Sequence, residues 1–312
     1  MSKITKAAFV AICGTPNVGK STILNKIIGT KISIVSPKVQ TTRTSLKGIH
    51  NQDNCQLVFV DTPGIFSPSK PLEEAIVKTA WSGLEGIDIV LLVVDPIKGI
   101  CPDTYNIIEK LKNNKIEPIL LINKQDLVTK EKLNRLLGAC KQIDIFKNIL
   151  TISAIKDQGF AELMEYLITQ APESPWYFPE DQLTTTSLKV IASEITREKL
   201  FLNLSDELPY ALTVETESWE TQKNGSIKVN QTIFVSRESH KPIILGSKGD
   251  MIKKIGMQAR KEIEELAETK IHLFIFIKVR ENWFSDPERY DYLGMQQPTK
   301  NHHKPNKPKK KI

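Results

Sequence analysis

The chain of 312 residues is predicted to fold as a doubly wound α/β domain followed by a smaller α+β domain. Three observations carry this prediction. Short apolar runs alternate with helical patterns from Ala7 to Ile168, as in a parallel sheet covered by helices on both faces. Three prolines then interrupt the alternation between Ala171 and Pro179. Beyond them the order of predicted elements becomes α-β-β-α-α-β, which indicates a second domain of different architecture.

The composition favours a globular protein, because 40% apolar and 25% charged residues can supply a core for each domain. No run approaches the roughly 18 to 20 apolar residues of a membrane-spanning helix, and the first residues lack signal-peptide features, so we expect a cytoplasmic protein. The four cysteines are scattered, which predicts reduced, mostly buried thiols and not a zinc site. The net charge of +7 includes the six lysines of residues 298–312, so it does not by itself assign nucleic-acid binding.

The first chemical motif lies between a strand predicted at Ala7–Cys13 and a helix predicted at Thr22–Ile28. It matches the phosphate-binding pattern GxxxxGKS, whose glycines let backbone N–H groups converge on phosphates at a helix N-terminus. Lys20 can reach the β- and γ-phosphates, and Ser21 can offer its hydroxyl to Mg²⁺. The predicted phosphate contacts are Gly14, Thr15, Pro16, Asn17, Val18, Gly19, Lys20, Ser21 and Thr22.

Two further motifs predict magnesium ligands. Residues 40–44 show neither helical nor strand periodicity, so we expect a mobile loop in which the Thr42 hydroxyl can bind Mg²⁺ when a γ-phosphate is present. An apolar strand, Leu57–Val60, leads into Asp61, whose carboxylate can hold Mg²⁺ through water. The metal ligands are thus predicted as Ser21, Thr42 and Asp61. The nucleotide contacts of this segment are predicted as Asp61, Thr62, Pro63, Gly64 and Ile65, with the Gly64 N–H on the γ-phosphate.

The base is predicted from the residues that follow the buried strand Pro118–Ile122. An ionised Asp126 accepts hydrogen bonds from both N1–H and the amine of guanine, and adenine has no matching pair of donors. After a strand at Ile149–Ile152, the Ala154 N–H can bond guanine O6, and a plain strand end is the alternative. The predicted base contacts are Asn123, Lys124, Gln125, Asp126, Ser153 and Ala154. The remaining predicted elements are a strand at Ile87–Val94 and helices at Thr104–Leu111, Thr129–Gln142 and Phe160–Ile168.

The second domain is predicted at residues 185–285, after a linker at 173–184 with an aromatic anchor. Its motif is GxxG between two helices, where glycines let a sugar–phosphate backbone approach closely; a helix end followed by a turn is the alternative. Ile244, Ile252 and Ile255 are predicted as the apolar wall for bases. The predicted RNA contacts are Ile244, Gly246, Ser247, Lys248, Gly249, Ile252, Lys253, Lys254 and Ile255. The predicted elements are helices at Leu183–Leu204 and Met257–Glu268 and strands at Pro209–Glu217, Gly225–Val235 and Ile271–Val279.

Taken in order, the segments GTPNVGKS, QTTRT, DTPG, NKQD and SAIK resemble the GTPases of the TrmE–Era class. With the second domain included, the resemblance is to the Era family over nearly the whole chain. It implies a P-loop GTPase domain at residues 1–172, a type II KH domain, GTP or GDP with Mg²⁺, and slow hydrolysis of GTP. The implied partners are 16S ribosomal RNA near its 3′ end and the maturing 30S subunit. The implied catalytic residues are Asn17, Lys20, Thr42 and Gly64.

One residue departs from the Ras-like pattern. Ile65 stands where Ras-like enzymes place a glutamine that orients the attacking water, which predicts slow intrinsic turnover. Resemblance to related GTPases implies that Asn17 helps to bind K⁺ beside the phosphates. The alternative to a GTP-controlled switch is a constitutive RNA-binding assembly factor whose nucleotide is a structural ligand. We expect a monomer.

The C-terminal residues 286–312 end in a lysine- and proline-rich tail without an apolar stripe. We expect this tail to be disordered and to attract phosphates without sequence preference, with a merely solvating role as the alternative. Trp283 is predicted to be a packing residue. The family resemblance also implies peripheral contact with the cytoplasmic face of the inner membrane, for which the sequence offers only this basic tail.

Overall fold

The computed structural model describes residues 4–281, so the predictions for Trp283 and for residues 286–312 lie outside the described residues. The elements of the first domain are β1 (Lys6–Gly14), α1 (Lys20–Ile28), β2 (Leu46–Gln52), β3 (Cys55–Asp61), α2 (Pro71–Ser82), β4 (Ile89–Val94), α3 (Pro102–Asn113), β5 (Ile119–Ile122), α4 (Lys130–Cys140), β6 (Asn148–Thr151) and α5 (Phe160–Gln170).

The first domain is built on one six-stranded sheet with the order β2-β3-β1-β4-β5-β6. β1 pairs in parallel with both β3 and β4, and β5 and β6 continue the parallel arrangement. Side chains of α1 and α5 fill the core on one face, and those of α2, α3 and α4 fill it on the other. The predicted doubly wound α/β fold is therefore confirmed. Its parallel strands bring the ends of β1, β3, β4 and β5 to one edge of the sheet.

Two elements of this domain were missing from the sequence prediction. β2 is an antiparallel edge strand joined to β3 by a tight turn in which Asp53 has φ 53°. Its residues LKGIHNQ mix polar and apolar side chains without clear alternation, so the periodicity gave little indication of a strand. α2 has a clearer signature, since Pro71 occupies its first turn together with Glu73 and Glu74.

The second domain places a three-stranded sheet against helices. Its elements are α6 (Leu188–Asn203), β7 (Leu212–Thr221), β8 (Ile227–Val235), α7 (His240–Leu245), α8 (Asp250–Ala267) and β9 (Ile271–Val279). β8 lies at the centre, antiparallel to β7 and parallel to β9. The predicted order α-β-β-α-α-β is confirmed.

Several predicted boundaries in this domain were wrong. α6 begins five residues after the predicted start at Leu183, because the Leu183 carbonyl accepts a hydrogen bond from the Ile49 N–H of β2. β7 begins at Leu212, since residues 208–211 form a 3-10 turn. α8 starts directly after Gly249 and not at Met257, so the residues that follow the GxxG motif are helical.

The predicted linker is a strap bound along the first domain. Gln56, which is fully buried, accepts hydrogen bonds from the Tyr177 and Phe178 N–H groups at 2.8 and 3.0 Å. Its amide donates in turn to the Phe178 carbonyl at 2.9 Å. The aromatic anchor is present as well, because the Tyr177 ring lies 4.8 Å from the Phe9 ring. The strap is thus fixed to the first domain before the chain enters the second.

We expect a Gln56→Ala substitution to destabilise the first domain by about 2 to 4 kcal/mol, because it removes a fully buried side chain and its three hydrogen bonds to Tyr177 and Phe178. Urea unfolding followed by circular dichroism measures the change. Gln142→Ala, which removes an exposed amide, is the matched control and should have almost no effect. Equal stability of the two variants would contradict the role given to Gln56.

Candidate functional site

The phosphate-binding loop joins β1 to α1 in a conformation that requires its glycines. Gly14 has φ 146°, and a Cβ there would lie 2.5 Å from the Val93 carbonyl oxygen. Gly19 has φ 100°, and a Cβ there would lie 2.4 Å from the Asn123 side-chain nitrogen. Both positions therefore exclude any larger residue. The loop is thereby held against the ends of two neighbouring strands.

Lys20 is a buried cation whose hydrogen bonds go to backbone carbonyls. Its side chain is only 6% exposed, and its Nζ donates to the Gly14 and Thr15 carbonyl oxygens at 3.3 and 3.1 Å. Burial lowers the pKa of Lys20, and the nearby Asp61 carboxylate opposes that shift. An anionic phosphate beside Lys20 would therefore favour its charged form.

The three predicted magnesium ligands meet at one point. Ser21 Oγ donates to Asp61 Oδ2 at 2.6 Å and lies 2.9 Å from Thr42 Oγ1. Asp61 is fully buried, which raises its pKa against the opposing effect of Lys20, and its Oδ1 has no hydrogen-bond partner. Two hydroxyls and a carboxylate with one unsatisfied buried oxygen suit Mg²⁺, which prefers oxygen ligands and retains bound water.

The segment 31–43, which supplies Thr42, is anchored to the second domain. The Thr41 carbonyl accepts a hydrogen bond from Arg197 of α6. Thr41 therefore contacts the second domain, whereas the adjacent Thr42 contacts the magnesium site of the first. The Lys38 ammonium donates to the Phe201 and Leu204 carbonyls at the end of the same helix. The mobile loop predicted from the sequence is therefore held in place here by contacts between the domains.

The beginning of this segment carries charged contacts with the same helix. Lys31 forms an ion pair with Glu198 at 2.7 Å, and a second with Glu262 of α8. Glu198 also accepts a hydrogen bond from the Val35 N–H at 2.8 Å. Burial raises the pKa of Glu198, but the hydrogen bonds from Lys199, Lys31 and the Val35 N–H outweigh it and lower the pKa. Glu198 is therefore an ionised acceptor at the contact between the domains.

Arg43 ends the segment inside the contact between the domains. It is 2% exposed, donates to the Leu212 carbonyl at 2.8 Å, and lies 5.8 Å from the centre of the Phe201 ring. Burial and the nearby Arg197 lower the pKa of Arg43 to about 9, with Glu194 acting in the opposite direction. We call the contacts of residues 31–43 with α6, α8 and β7 the interdomain clamp. Arg43, Arg197 and Phe201 lie at its centre.

The residues predicted to bind the base surround the phosphate loop. The Asn123 side chain donates to the Val18 carbonyl at 2.9 Å, and the Lys124 ammonium donates to the Asn17 carbonyl at 2.7 Å while pairing with Asp95. These bonds tie the end of β5 to the phosphate loop. Asp126 is exposed beside them, so its carboxylate is accessible to a base.

The second base segment differs from the prediction in one bond. The Ala154 N–H, expected to bond guanine O6, donates to Asn123 Oδ1 at 3.1 Å. Ser153 is buried and accepts a hydrogen bond from the Lys156 N–H at 3.1 Å. Asn123 therefore braces both this segment and the phosphate loop, and in the structure described here the Ala154 N–H is already paired.

Two residues predicted to contact nucleotide have structural roles instead. The Ile65 side chain is 6% exposed and packs in the core beside α2, and its N–H donates to the Gly14 carbonyl at 3.1 Å. The Thr62 hydroxyl is buried and donates to the Ile12 carbonyl at 2.9 Å. Gly64 does face the pocket, where a Cβ would lie 2.9 Å from Pro16. Placing Ile65 among the nucleotide contacts was wrong, because apolar burial directs its side chain into the core.

The GxxG motif of the second domain joins α7 to α8. Gly246 has φ 72°, and a Cβ there would lie 2.6 Å from Met251 Cβ. Gly249 has φ 83° and begins α8, with open space around its Cα. Lys248 is exposed between the two glycines, with φ 50°. The loop therefore offers a cation and the N-terminus of an 18-residue helix to an approaching phosphate.

The predicted apolar wall beside this motif needs correction. Ile244 and Ile255 are fully buried in the core of the domain, so neither is accessible to RNA. Ile252 lies at the surface groove, as predicted. Lys253 lies there too, as predicted. The sequence reasoning missed Gly256, Met257 and Arg260, although a continuous helix from Asp250 would have placed them on one face with a spacing of three and four. It also missed Leu273 and Ile275 of β9. The groove between α8 and β9 is lined by Ile252, Lys253, Gly256, Met257, Arg260, Leu273 and Ile275.

Comparisons with known proteins agree with these two sites. Residues 9–124 match the family described as 50S ribosome-binding GTPase, and residues 207–284 match the KH domain family. The chain is 48% identical over 294 residues to GTPase Era of Sinorhizobium medicae, which covers 94% of this chain and 95% of that protein. Its identity to GTPase Era of Brucella suis is 47% over 295 residues, 95% of each chain.

The chain belongs to the Era family of GTPases. A solved structure of Aquifex aeolicus Era bound to GDP·AlF4⁻ matches it with a TM-score of 0.89 and 35% identity, over 93% of this chain and 99% of that one. A structure of Era with MgGDPNP and nucleotides 1506–1542 of 16S ribosomal RNA matches with the same TM-score, identity and coverage. The predicted fold of a P-loop GTPase domain followed by a KH domain is confirmed.

The activity of this Era-family protein is hydrolysis of GTP to GDP and phosphate, with Mg²⁺ as the metal. Ser21, Thr42 and Asp61 would hold the Mg²⁺, which supplies charge stabilisation to the transferred phosphoryl group. Lys20 adds a fixed positive charge in a site shielded from water, where it acts more strongly than in solvent. Because Ile65 is packed in the core, it cannot orient the attacking water.

We expect Asp126→Asn to lower GTP affinity at least about 100-fold, because the neutral amide offers guanine only one acceptor and loses the charge-assisted bonds. Binding of xanthosine triphosphate should improve, since its C2 oxygen can accept from the new amide. Fluorescence titration with both nucleotides measures the exchange of preference. The control is Asp144→Asn, an exposed carboxylate after α4, which should change neither affinity. Unaltered GTP binding in Asp126→Asn would contradict the assignment.

Proposed function

We propose that this protein binds 16S ribosomal RNA near its 3′ end through the groove between α8 and β9, and that it acts in maturation of the 30S subunit. GTP controls the exposure or shape of that groove. The observation that carries the proposal is the interdomain clamp, because one segment supplies Thr42 to the magnesium site and Thr41 to α6 of the KH domain. In this proposal the GTPase domain spans residues 1–172, the linker residues 173–184 and the KH domain residues 185–285.

The chemistry of the groove supports single-stranded RNA as the ligand. Lys248, Lys253 and Arg260 are exposed along one side and suit a phosphate backbone. Met257 is 56% exposed beside them and offers apolar surface to a base. Gly256 leaves the floor open, since a Cβ there would meet only Ile275 at 3.6 Å. A solved complex of Era contains nucleotides 1506–1542 of 16S ribosomal RNA, which supports this RNA as the ligand.

The clamp explains how nucleotide and RNA can affect each other. A γ-phosphate with Mg²⁺ draws the Thr42 hydroxyl toward the metal, and this movement acts on the Thr41 carbonyl and hence on Arg197. α6 packs along α8, whose first turn carries the RNA-binding lysines. Linkage requires that RNA then changes GTP affinity by the same factor.

The alternative is a constitutive RNA-binding assembly factor that keeps its nucleotide as a structural ligand. The core position of Ile65 favours it, because no glutamine follows Gly64 to orient water. RNA-stimulated release of phosphate distinguishes the two functions. A switch should respond to RNA, whereas a structural nucleotide should not.

The cellular location is a further part of the proposal. We place the protein in the cytoplasm, with peripheral contact to the inner membrane through the lysine-rich residues 300–311, which lie outside the described residues. Among the helices of residues 4–281, none is long and apolar enough to cross a membrane.

We also propose that turnover depends on K⁺, which the Asn17 side chain would help to bind. Its side-chain nitrogen donates to the Pro37 carbonyl at 2.8 Å, which leaves the amide oxygen as the group available to a cation. If K⁺ bound here supplies the charge of an arginine finger, turnover should be at least about tenfold faster in KCl than in NaCl. Asn17→Ala should abolish the difference. Equal phosphate release by the native protein in the two salts would contradict K⁺ binding.

We expect the RNA matching the 3′ end of 16S ribosomal RNA to bind about tenfold more tightly with a non-hydrolysable GTP analogue than with GDP, a typical coupling of about 1.4 kcal/mol. Fluorescence anisotropy at fixed salt measures both affinities, since phosphate contacts make each salt-dependent. Gly249→Asp should abolish binding, because it places a negative charge at the GxxG loop and strains a backbone that has φ 83°.

Lys38→Met tests the clamp, because it removes the bonds to α6 and leaves both ligand sites unchanged. The ratio of the RNA affinities measured with the GTP analogue and with GDP should fall toward one. The matched control is Lys26→Met, which breaks an exposed ion pair with Asp157 inside the first domain. Equal RNA affinity of the native protein with both nucleotides would contradict the switch and favour the constitutive alternative.

A further inference from the structure

Ser33 is a buried hydroxyl that contacts the magnesium site without belonging to any nucleotide-binding motif. It lies near the start of the 31–43 segment and is 1% exposed. Its Oγ donates a hydrogen bond to Asp61 Oδ2 at 2.9 Å. Sequence reasoning gave no indication of this contact, because Ser33 is 28 residues before Asp61 in the chain.

The position of Ser33 is fixed by Asn25 of α1. The Asn25 side chain donates to the Ser33 carbonyl at 2.7 Å and accepts from the Ile32 and Ser33 N–H groups at 3.0 and 2.9 Å. Asn25 lies four residues after Ser21, so both side chains project from one face of the helix. α1 thus supplies a metal-binding hydroxyl and also the amide that holds Ser33.

The orientation of the Asp61 carboxylate depends on rotation about two side-chain bonds, Cα–Cβ and Cβ–Cγ. The backbone is fixed, because Asp61 ends β3 in register with Ile12 of β1 and Leu46 of β2. Oδ2 accepts hydrogen bonds from both Ser21 and Ser33, whereas Oδ1 is buried without a partner. The two oxygens therefore have different environments, although they are chemically equivalent.

We propose that Ser33 is a positioning residue for the magnesium site. Its hydroxyl holds Oδ2 of Asp61, so that Oδ1 is the oxygen presented to a water on Mg²⁺. When Ser21 turns its hydroxyl oxygen to the metal, Ser33 still donates to Oδ2. Hydrogen bonds that orient a metal-binding group in this way typically change metal affinity by about 10- to 100-fold.

The test measures how Mg²⁺ retains nucleotide. Release of a fluorescent GDP analogue is followed over a series of free Mg²⁺ concentrations, beginning in EDTA. We expect Ser33→Ala to raise the Mg²⁺ concentration for half-maximal retention about tenfold or more. Its release rate in EDTA should stay within about twofold of the native rate, because no phosphate contact is lost. A generally loosened loop would instead speed release by one factor at every Mg²⁺ concentration.

Three further variants keep the test decisive. Ser33→Cys nearly preserves volume but donates weakly, so it should behave as Ser33→Ala without creating a cavity. Ser33→Thr retains the hydroxyl and should restore the native Mg²⁺ dependence. Ser45→Ala is the control in the same connection between α1 and β2, where the Ser45 hydroxyl has no partner among residues 4–281. Circular dichroism verifies that each protein is folded.

Native Mg²⁺ dependence in Ser33→Ala or Ser33→Cys would overturn the proposal. So would a folded Ser33→Thr protein that behaves as Ser33→Ala, since the hydroxyl would then not be the responsible group. A uniform acceleration of release in both Ser33→Ala and Ser33→Cys would also overturn it and assign Ser33 a purely structural role.

Discussion

The hydrogen bond from Arg197 to the Thr41 carbonyl is the constraint on which the rest of the structure depends. The next residue, Thr42, places its hydroxyl 2.9 Å from Ser21 Oγ. Two adjacent residues are therefore fixed by different domains, one by the KH domain and the other by the magnesium site. Because the peptide between them is rigid, neither contact can move far without affecting the other.

The cost of disturbing this contact makes intermediate arrangements unfavourable. Arg197 and Arg43 are 1% and 2% exposed, and Glu194 is the carboxylate that pairs with Arg197. Leaving a buried charge without its partner typically costs about 3 to 5 kcal/mol, so the clamp should be either formed or fully rearranged. At the other end of the segment, Asn25 and Ser33 tie the chain to Asp61. The segment is therefore held at both ends by groups that also serve the magnesium site.

The sequence predicted those parts of the site whose chemistry lies in contiguous motifs. Spacing located Lys20, Ser21, Asp61 and the GxxG glycines, because backbone conformation and charge are encoded within a few residues. The alternation of elements likewise predicted the doubly wound sheet. β2 was missed because an edge strand with mixed polarity has no clear period.

Contacts between distant parts of the chain could not be predicted in the same way. Ser33 reaches Asp61 only after the first domain has folded, and Arg43 reaches β7 only after the two domains have packed. Burial was the other source of error. Ile244 and Ile255 are apolar residues beside the GxxG motif, as an RNA-binding wall requires, but they lie in the core. Whether such a residue faces the groove or the core depends on which face of α7 or α8 carries it. Ile65 was misplaced for the same reason.

Hydrogen–deuterium exchange of the full-length protein, compared between GDP and a non-hydrolysable GTP analogue with Mg²⁺, tests the central claim most directly. We expect the analogue to change amide exchange in residues 31–43 and, in the same sample, at the end of α6 near Phe201 and Leu204. Lys38→Met should retain the first change and weaken the second. A change confined to the GTPase domain would contradict the claim that the clamp transmits nucleotide state to the KH domain.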